Sequence, residues 1–529
     1  MKNLLRVFFA GKLAKVNVFG IVCISLASGF LMIEANRHLA MLFDEHIAAG
    51  SDNRALTAVF LTVFMFVAVF TMRLISEYMR QRLWWSGEGK FKSYFVNKLL
   101  RSEAKYFYDK QPPDIWASIN LPTQEVARFF AGLASILVSS ILMIFYGIVV
   151  FSIDFYAGLF SCLTIPIYLL LARTMGNKLT KMQGETMDMH RSLGVVSQEA
   201  IAGVLNIKAK NAYNFFVNRI MKVQYGITKN MRKINVLMQY TSSVSGIINI
   251  IAPIFILFGA LQFSDDLNLN IGIVLVLYIN IPLFISAFGS VFSGILSYRG
   301  SLPAINKLKE LDSIPNEQNG DTKILSFESL ATKNVKIRFG ETKTVSIPDF
   351  KITKGERVML LGESGVGKSS LYGVVMGFNP DYEGEITIND IDLKLIDKES
   401  LRNIFGIVFQ HTPIPTLPLK ESILLGIHKS DDEVLNVLNE TNLMSISKDR
   451  NNEIIRDQTL SGGERSRIAL AQSIVRDSEV LLMDETFSNV DESMETQIIK
   501  SILTDRQKTF ICISHRTTNI DSFDRAIQF

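Results

Sequence analysis

Cysteine is scarce in this chain. Cys23, Cys162 and Cys512 stand far apart among 529 residues, and no disulfide framework or thiolate metal site can be built from that spacing. Charge is scarce too, in particular places. Before residue 300 several apolar runs carry almost no Asp, Glu, Lys or Arg, with Glu34 the main exception. Net charge is only +4, so composition gives no reason to expect nucleic acid as a partner.

Hydrophobic residues are abundant instead, at 48%, and mean hydropathy is +0.24. A bilayer core needs about 20 mostly apolar residues per helix. Six stretches qualify or nearly do: residues 17–36, 55–74, 129–152, 155–173, 237–263 and 271–297. One such stretch can be a buried core helix; six cannot. The first follows Lys2, Arg6, Lys12 and Lys15, as a secretory signal would, but lacks a convincing cleavage site and is read as a retained span. Ten Lys/Arg lie from Arg73 to Arg128 and eleven from Arg173 to Lys233, whereas the turn 152–154 and the loop around Asp265 and Asp266 carry none. By the positive-inside rule the N-terminus and both long segments are cytoplasmic. These segments read as two helical hairpins, the first broken near its tip by Gln111, Pro112, Pro113 and Asp114, the second turning between Asn206 and Tyr213. Proton- or ion-coupled carriers place ionisable groups inside their spans, so the shortage here argues against ion coupling. Spans five and six carry neutral polar groups, among them Ser245, Asn249, Tyr278, Asn280, Ser286 and Ser290. They suit either helix packing or an uncharged translocation path.

The apolar pattern ends near Leu311. Residues 312–324 read as a polar linker between a membrane domain, 1–311, and a soluble α/β domain, 325–529. In the latter, Val358–Leu361 reads as a strand. It is followed by Gly362, Glu363, Ser364, Gly365, Val366, Gly367, Lys368, Ser369 and Ser370, opening a helix: GxxxxGK[ST] in the context a phosphate-binding loop requires. Its glycines let backbone N–H groups wrap phosphates at the helix N-terminus. Lys368 is suited to the β- and γ-phosphates of a nucleotide, and the Ser369 hydroxyl to Mg²⁺. A second apolar strand, Val480–Met483, runs into Asp484 and Glu485. Asp484 is placed to hold Mg²⁺ through water, and Glu485 to orient and activate an attacking water.

Between these lies Leu460-Ser461-Gly462-Gly463-Glu464, ahead of a helix over 464–475. Together with the phosphate loop, it resembles the signature sequence of ABC transporter ATPases. The resemblance implies that Ser461, Gly462 and Gly463 meet the γ-phosphate of a nucleotide held by the opposite subunit. Further positions match in order. Gln410 resembles the Q-loop glutamine that senses Mg²⁺ and the attacking water. The stretch from Ser488 to Asp491 resembles the D-loop, and His515 the switch histidine at the γ-phosphate. Phe339 sits where the family places an aromatic against adenine.

Six spans followed by such an ATPase resemble the exporter half-transporters of type IV. Three departures stand out: Glu464 where the signature has Gln; Glu453–Asp457, which keeps only Arg456 of a Gly-Glu-Arg-Gly stretch; and a chain reading to Phe529 where the family runs on with another strand and helices. With one phosphate loop and one signature per chain, the resemblance implies a dimer, two identical chains or a pair of different half-transporters, in the cell (inner) membrane. Its expected activity is ATP hydrolysis coupled to export. An exported peptide, such as a bacteriocin or modified antimicrobial peptide, suits the neutral lining best. Lipid or hydrophobic-drug export, siderophore import and a nucleotide-regulated sensor are the alternatives. No peptidase domain precedes the first span, so leader trimming is not expected of this chain.

Topology is directly testable. Cysteines introduced near Asp154 or Asp266 should react with impermeant thiol reagents from outside, and those near Pro113 or Asn211 should not; the opposite labelling pattern overturns the orientation.

Overall fold

The computed structural model describes residues 2–42, 52–108, 110–263, 271–339, 343–363, 365–446, 453–504, 507–514, 516 and 519–529. They form two units. One comprises Met1–Ser102 and Asp109–Asn316, the other Glu103–Tyr108 and Glu317–Phe529.

In the first unit six helical stretches are long and apolar enough to cross a membrane. A short helix α1 (Lys2–Phe8) precedes α2 (Lys12–Met41) and α3 (Asp52–Leu100). After α4 (Lys105–Tyr108), which belongs to the second unit, come α5 (Pro112–Ile153), α6 (Phe155–Cys162), α7 (Thr164–Ala202), α8 (Val204–Ala209), α9 (Tyr213–Phe263) and α10 (Ile271–Asp312). A helix satisfies its own backbone groups, which lipid cannot do. α5 packs along α10, α2 along α3, and α7 along α9 and α10. Small residues allow the approach: a Cβ on Gly294 would lie 2.5 Å from Ile136 Cγ1.

Local chemistry explains where the helices break. Pro112 and Pro113 do not interrupt a helix but start one, because the N–H that proline lacks has no partner in a first turn. The first hairpin therefore turns earlier than the Pro-Pro pair, between Leu100 and Gln111. The second turns as its sequence suggests, with Asn211 in the left-handed region at φ 51°. Span four is two helices, not one. Pro166 has no N–H for the Cys162 carbonyl, Leu163 lies between the pieces, and Thr164 Oγ1 donates to the Ser161 carbonyl at 2.8 Å. α1 was not legible as a separate element. Phe8 is fully buried, with its ring 5.4 Å from that of Phe130, and Lys90 Nζ donates to the Ala10 carbonyl at 2.6 Å.

The second unit is α/β. Strands β1 (Ser329–Phe339), β2 (Lys343–Ser346), β3 (Phe350–Thr353), β5 (Tyr382–Ile388) and β6 (Ile391–Asp392) form an antiparallel sheet. A parallel sheet has the order β12-β4-β11-β10-β7, with β4 Arg357–Leu361, β7 Phe405–Val408, β10 Val480–Asp484, β11 Thr509–Ile513 and β12 Arg525–Gln528. β10 and β11 are buried throughout, as expected of parallel strands covered on both faces. A short pair, β8 (Leu417–Pro418) and β9 (Ile454–Ile455), completes the strands. The last strand, β12, pairs with β4 at the sheet edge.

Candidate nucleotide site

The phosphate loop leaves β4 and enters the helix Lys368–Val375. Gly367 caps that helix at φ 109°, and a Cβ there would sit 2.0 Å from Val345 Cγ1, so both conformation and space require glycine. Lys368 is buried, at 5% exposure, and its ammonium donates to the carbonyls of Gly362 at 2.6 Å and Glu363 at 2.9 Å. The cation is thus drawn back over the loop, beside the helix N-terminal amides that favour an anion. Gly365 is exposed, and Val366 and Ser370 are half-buried. Ser364, His515 and the side chain of Phe339 lie outside the described residues.

Parallel pairing of β4 with β11, β11 with β10, and β10 with β7 gathers the remaining groups at one sheet edge. Ser369 Oγ donates to Asp484 Oδ1 at 3.0 Å. Beyond β7, Gln410 Nε2 donates to Glu485 Oε2 at 2.6 Å. Glu485 has φ 46°, uncommon for a residue with a side chain, and its N–H donates to the Ile513 carbonyl at 3.0 Å. The two adjacent carboxylates therefore face different tasks: Asp484 is buried against the loop serine, and Glu485 is turned to the glutamine. No group of three or more His, Cys, Asp or Glu able to hold a metal occurs among the described residues. That donor set suits Mg²⁺, which keeps waters and phosphate oxygens as ligands and needs few from protein. The loop amides, Lys368, Ser369 and Asp484 together fit a magnesium–nucleotide phosphate group.

The signature turn is built on a capping box. Glu464 N–H donates to Ser461 Oγ at 3.2 Å, and Ser461 N–H donates to Glu464 Oε2 at 2.8 Å, opening the helix Gly462–Ile474. Glu and Gln both supply the acceptor this cap needs, which accounts for the departure at 464. Gly463 packs so closely on the D-loop that an added Cβ would lie 2.9 Å from the Asn489 carbonyl oxygen. Asp491, exposed, is the N-cap residue of the helix Glu492–Ile502. Among the described residues no hydrogen bond joins the 461–464 turn to the phosphate loop. One group thus comprises the loop with Asp484, Glu485 and Gln410; the other comprises Ser461 to Gly463 with the D-loop.

Two contributors escape a motif reading. Arg516 Nη1 donates to the Val490 carbonyl at 2.9 Å and to Glu495 at 3.0 Å, and Nη2 to the Ser488 carbonyl at 3.2 Å, tying the D-loop to the segment after β11. Asp457 accepts from Arg465 Nε at 2.8 Å and from the Ile414 N–H at 3.3 Å, joining the signature helix to the stretch beyond Gln410. Both act across loops distant in sequence, and only the position of Arg516 next to His515 hints at either.

Two family models match most of the chain. The model of the ABC transporter transmembrane region matches residues 18–288, and that of the ABC transporter matches 345–488. The chain is 24% identical over 447 residues to the lactococcin-A transport/processing ATP-binding protein LcnC of Lactococcus lactis subsp. lactis, covering 82% of this chain and 62% of that protein. The chain thus spans less than two thirds of that relative's length. It is 25% identical over 499 residues to an ATP-dependent lipid A-core flippase of Neisseria gonorrhoeae, covering 90% of this chain and 79% of the flippase. A solved bacterial Atm1-family ABC exporter with ATP bound superposes with a TM-score of 0.87 at 17% identity, over 98% of this chain and 94% of that one.

The capping box predicts how position 464 tolerates change. Glu464→Gln should melt within about 0.5 kcal/mol of the parent, and Glu464→Ala, which loses the bond to the Ser461 N–H, should lose about 0.5–1.5 kcal/mol. Thermal unfolding of the full chain in detergent checks this, and equal losses for the two variants would dismiss the cap.

Proposed function

The chain belongs to the ABC transporters, as a half-transporter with fused membrane and ATPase domains, and on that premise we propose that it is an ATP-driven exporter working as a dimer. The observation that carries this reading is the pairing of Glu485 with Gln410 at 2.6 Å beside Ser369 and Asp484 at 3.0 Å, next to the phosphate loop. ATP held with Mg²⁺ supplies the phosphoanhydride whose hydrolysis drives the cycle. Lys368 and the loop amides hold phosphate, and Ser369 and Asp484 hold the cation. Glu485 and Gln410 position a water, and Glu485 takes its proton. Ser461, Gly462 and Gly463 serve the nucleotide of a second chain. This assignment is supported by the lack of any hydrogen bond between that turn and the chain's own loop among the described residues. Two sites then form between two chains, each site needing both.

The dimer spans the cell membrane with its ATPase domains in the cytoplasm, as the Lys/Arg distribution of the loops favours. Its cargo is a peptide. Similarity to the lactococcin-A transporter and a hydroxyl-rich membrane interior support that class, and similarity to the lipid A-core flippase makes lipid the reading to test against it.

Separating ATP binding from hydrolysis tests the cycle. Lys368→Ala should weaken ATP binding itself. Glu485→Gln should bind ATP normally, hydrolyse it about 10²–10⁴-fold more slowly, and accumulate as a closed dimer with trapped nucleotide. Ser461→Ala should bind at each loop yet fail to close. Trapped nucleotide per dimer and steady-state ATPase report all three, and parental turnover in Glu485→Gln would refute the assignment.

A further inference from the structure

A cavity of about 320 Å³ opens among α2, α3, α5 and α10, inside the membrane unit. Its wall is unusually rich in hydroxyls. Ser25, Ser28 and Ser76 line one side; Ser135, Ser139, Ser286 and Ser290 line the other. Arg73, Glu77 and Arg80 project from α3 at the end of the second apolar stretch. Arg80 Nε donates to Glu77 Oε2 at 2.8 Å, and Gln81 Nε2 to Glu77 Oε1 at 3.0 Å, so both carboxylate oxygens are engaged. Arg73 forms no ion pair among the described residues, and its guanidinium hydrogen-bonds the side chain of Tyr146 on the cavity wall. The pocket therefore holds one net positive charge. An Arg near a span end can snorkel to the interface, but Arg73 lines the cavity among the helices, where an ionisable group is a functional-site candidate.

The hydroxyls carry directional information. Ser28 donates to the Ser25 carbonyl at 2.8 Å, Ser286 to the Leu283 carbonyl at 2.9 Å, and Ser290 to the Ser286 carbonyl at 3.0 Å. Ser25 and Ser76 share one hydrogen bond at 2.7 Å. The protons of Ser28, Ser286 and Ser290 are thus committed to the helices' own backbones, and what these three offer inward is oxygen lone pairs. The wall thus joins the three acceptor hydroxyls of Ser28, Ser286 and Ser290 to one net positive charge from Arg73, Glu77 and Arg80. N–H donors together with one negative charge on a ligand suit that combination.

We propose that this pocket receives the C-terminal end of an exported peptide, with Arg73 pairing the carboxylate and the serine oxygens accepting peptide N–H groups. The proposal rests on the exporter reading above and names the class of cargo. A phospholipid's phosphodiester can meet Arg73 but brings no N–H donor to Ser28, Ser286 and Ser290, and it is the competitor that the test includes.

The test uses N-acetyl-leucyl-alanyl-phenylalanine and its C-terminal amide, with the purified dimer in lipid nanodiscs. Equilibrium dialysis should show the free acid binding about tenfold or more tightly than the amide, the scale of one charge-assisted hydrogen bond. Arg73→Gln should lower acid binding to the level of the amide while amide binding stays put, and Arg73→Lys should restore part of the difference. Ser286→Ala with Ser290→Ala should weaken acid and amide alike. Equal binding of acid and amide by the parent overturns the proposal. So does an Arg73→Gln variant that loses both equally, the mark of a structural role, and so does displacement of the peptide by phosphatidylglycerol. ATP-dependent uptake of the same peptide into inside-out vesicles separates the two readings. Arg73-dependent binding without uptake would refute export and keep the pocket; uptake indifferent to the carboxylate would refute the pocket and keep export.

Discussion

The side-by-side pairing of β4, β11 and β10 governs everything else in the ATPase domain. Parallel strands end at the same edge, so the loop after β4, the carboxylates at the end of β10 and the segment after β11 emerge together. The Ser369–Asp484 hydrogen bond then joins the first helix to the second carboxylate strand. Tyr372 reinforces the joint from beneath. Fully buried, it donates to the Ile511 carbonyl at 2.7 Å, between the loop helix and β11. Burial pushes this phenol well above its ordinary value, so it stays a neutral donor. The left-handed Glu485 follows from the same pairing: its N–H reaches the carbonyl of Ile513, which turns its side chain toward Gln410 on the far side of β10. A residue held in the left-handed region by a neighbouring strand fits the catalytic role proposed for Glu485.

The membrane unit obeys a different constraint. With no water to satisfy backbone groups, its spans are helical, and their serines and threonines return their protons to carbonyls one turn back. The pattern recurs in α2, α3, α5, α7 and α10. Hydroxyls that look neutral in composition become acceptors in structure. This changes the meaning of the polar groups read from spans five and six. Ser286 and Ser290 line the cavity, whereas Asn280 is 1% exposed and gives its amide to the Val276 carbonyl at 2.9 Å, as a packing residue does. Tyr278 is half exposed and lies outside that lining.

What was legible in the sequence followed from strong, local signals. Six apolar runs, the loop glycines and the Asp484-Glu485 strand end each encode geometry within a few residues. What was missed depends on distance or on position within an element. Pro112 and Pro113 look like breakers in isolation, yet at a first turn they are starters. The interruption at Leu163 hides inside a continuous apolar run, and only Pro166 betrays it. Arg516 works through carbonyls of the D-loop that no spacing rule connects to it. The cavity's charge does not show in a count of loop cations, because Arg73 and Arg80 fall in the Lys/Arg-rich stretch from Arg73 to Arg128 although α3 carries them along the cavity wall.

Glu464 shows how one substitution redistributes a site's electrostatics without altering its shape. The capping box uses the N–H groups of Ser461 and Glu464, leaving those of Gly462 and Gly463 to face an anion. A glutamine would leave that turn neutral; glutamate adds a negative charge where the proposed dimer brings a phosphate. The same charge lies at the positive end of the helix Gly462–Ile474, where it is favourable. It also lies near Arg467, whose Nε donates to the Gly463 carbonyl at 3.3 Å. Arg465 cannot offset it, since its guanidinium is engaged by Asp457. Compensation therefore falls to the helix dipole and to Arg467, whose guanidinium burial lowers and the Glu464 charge raises in proton affinity. Closure of such a turn on a phosphate is accordingly opposed by more repulsion than in a Gln-bearing signature, and the extra cost is screened by salt.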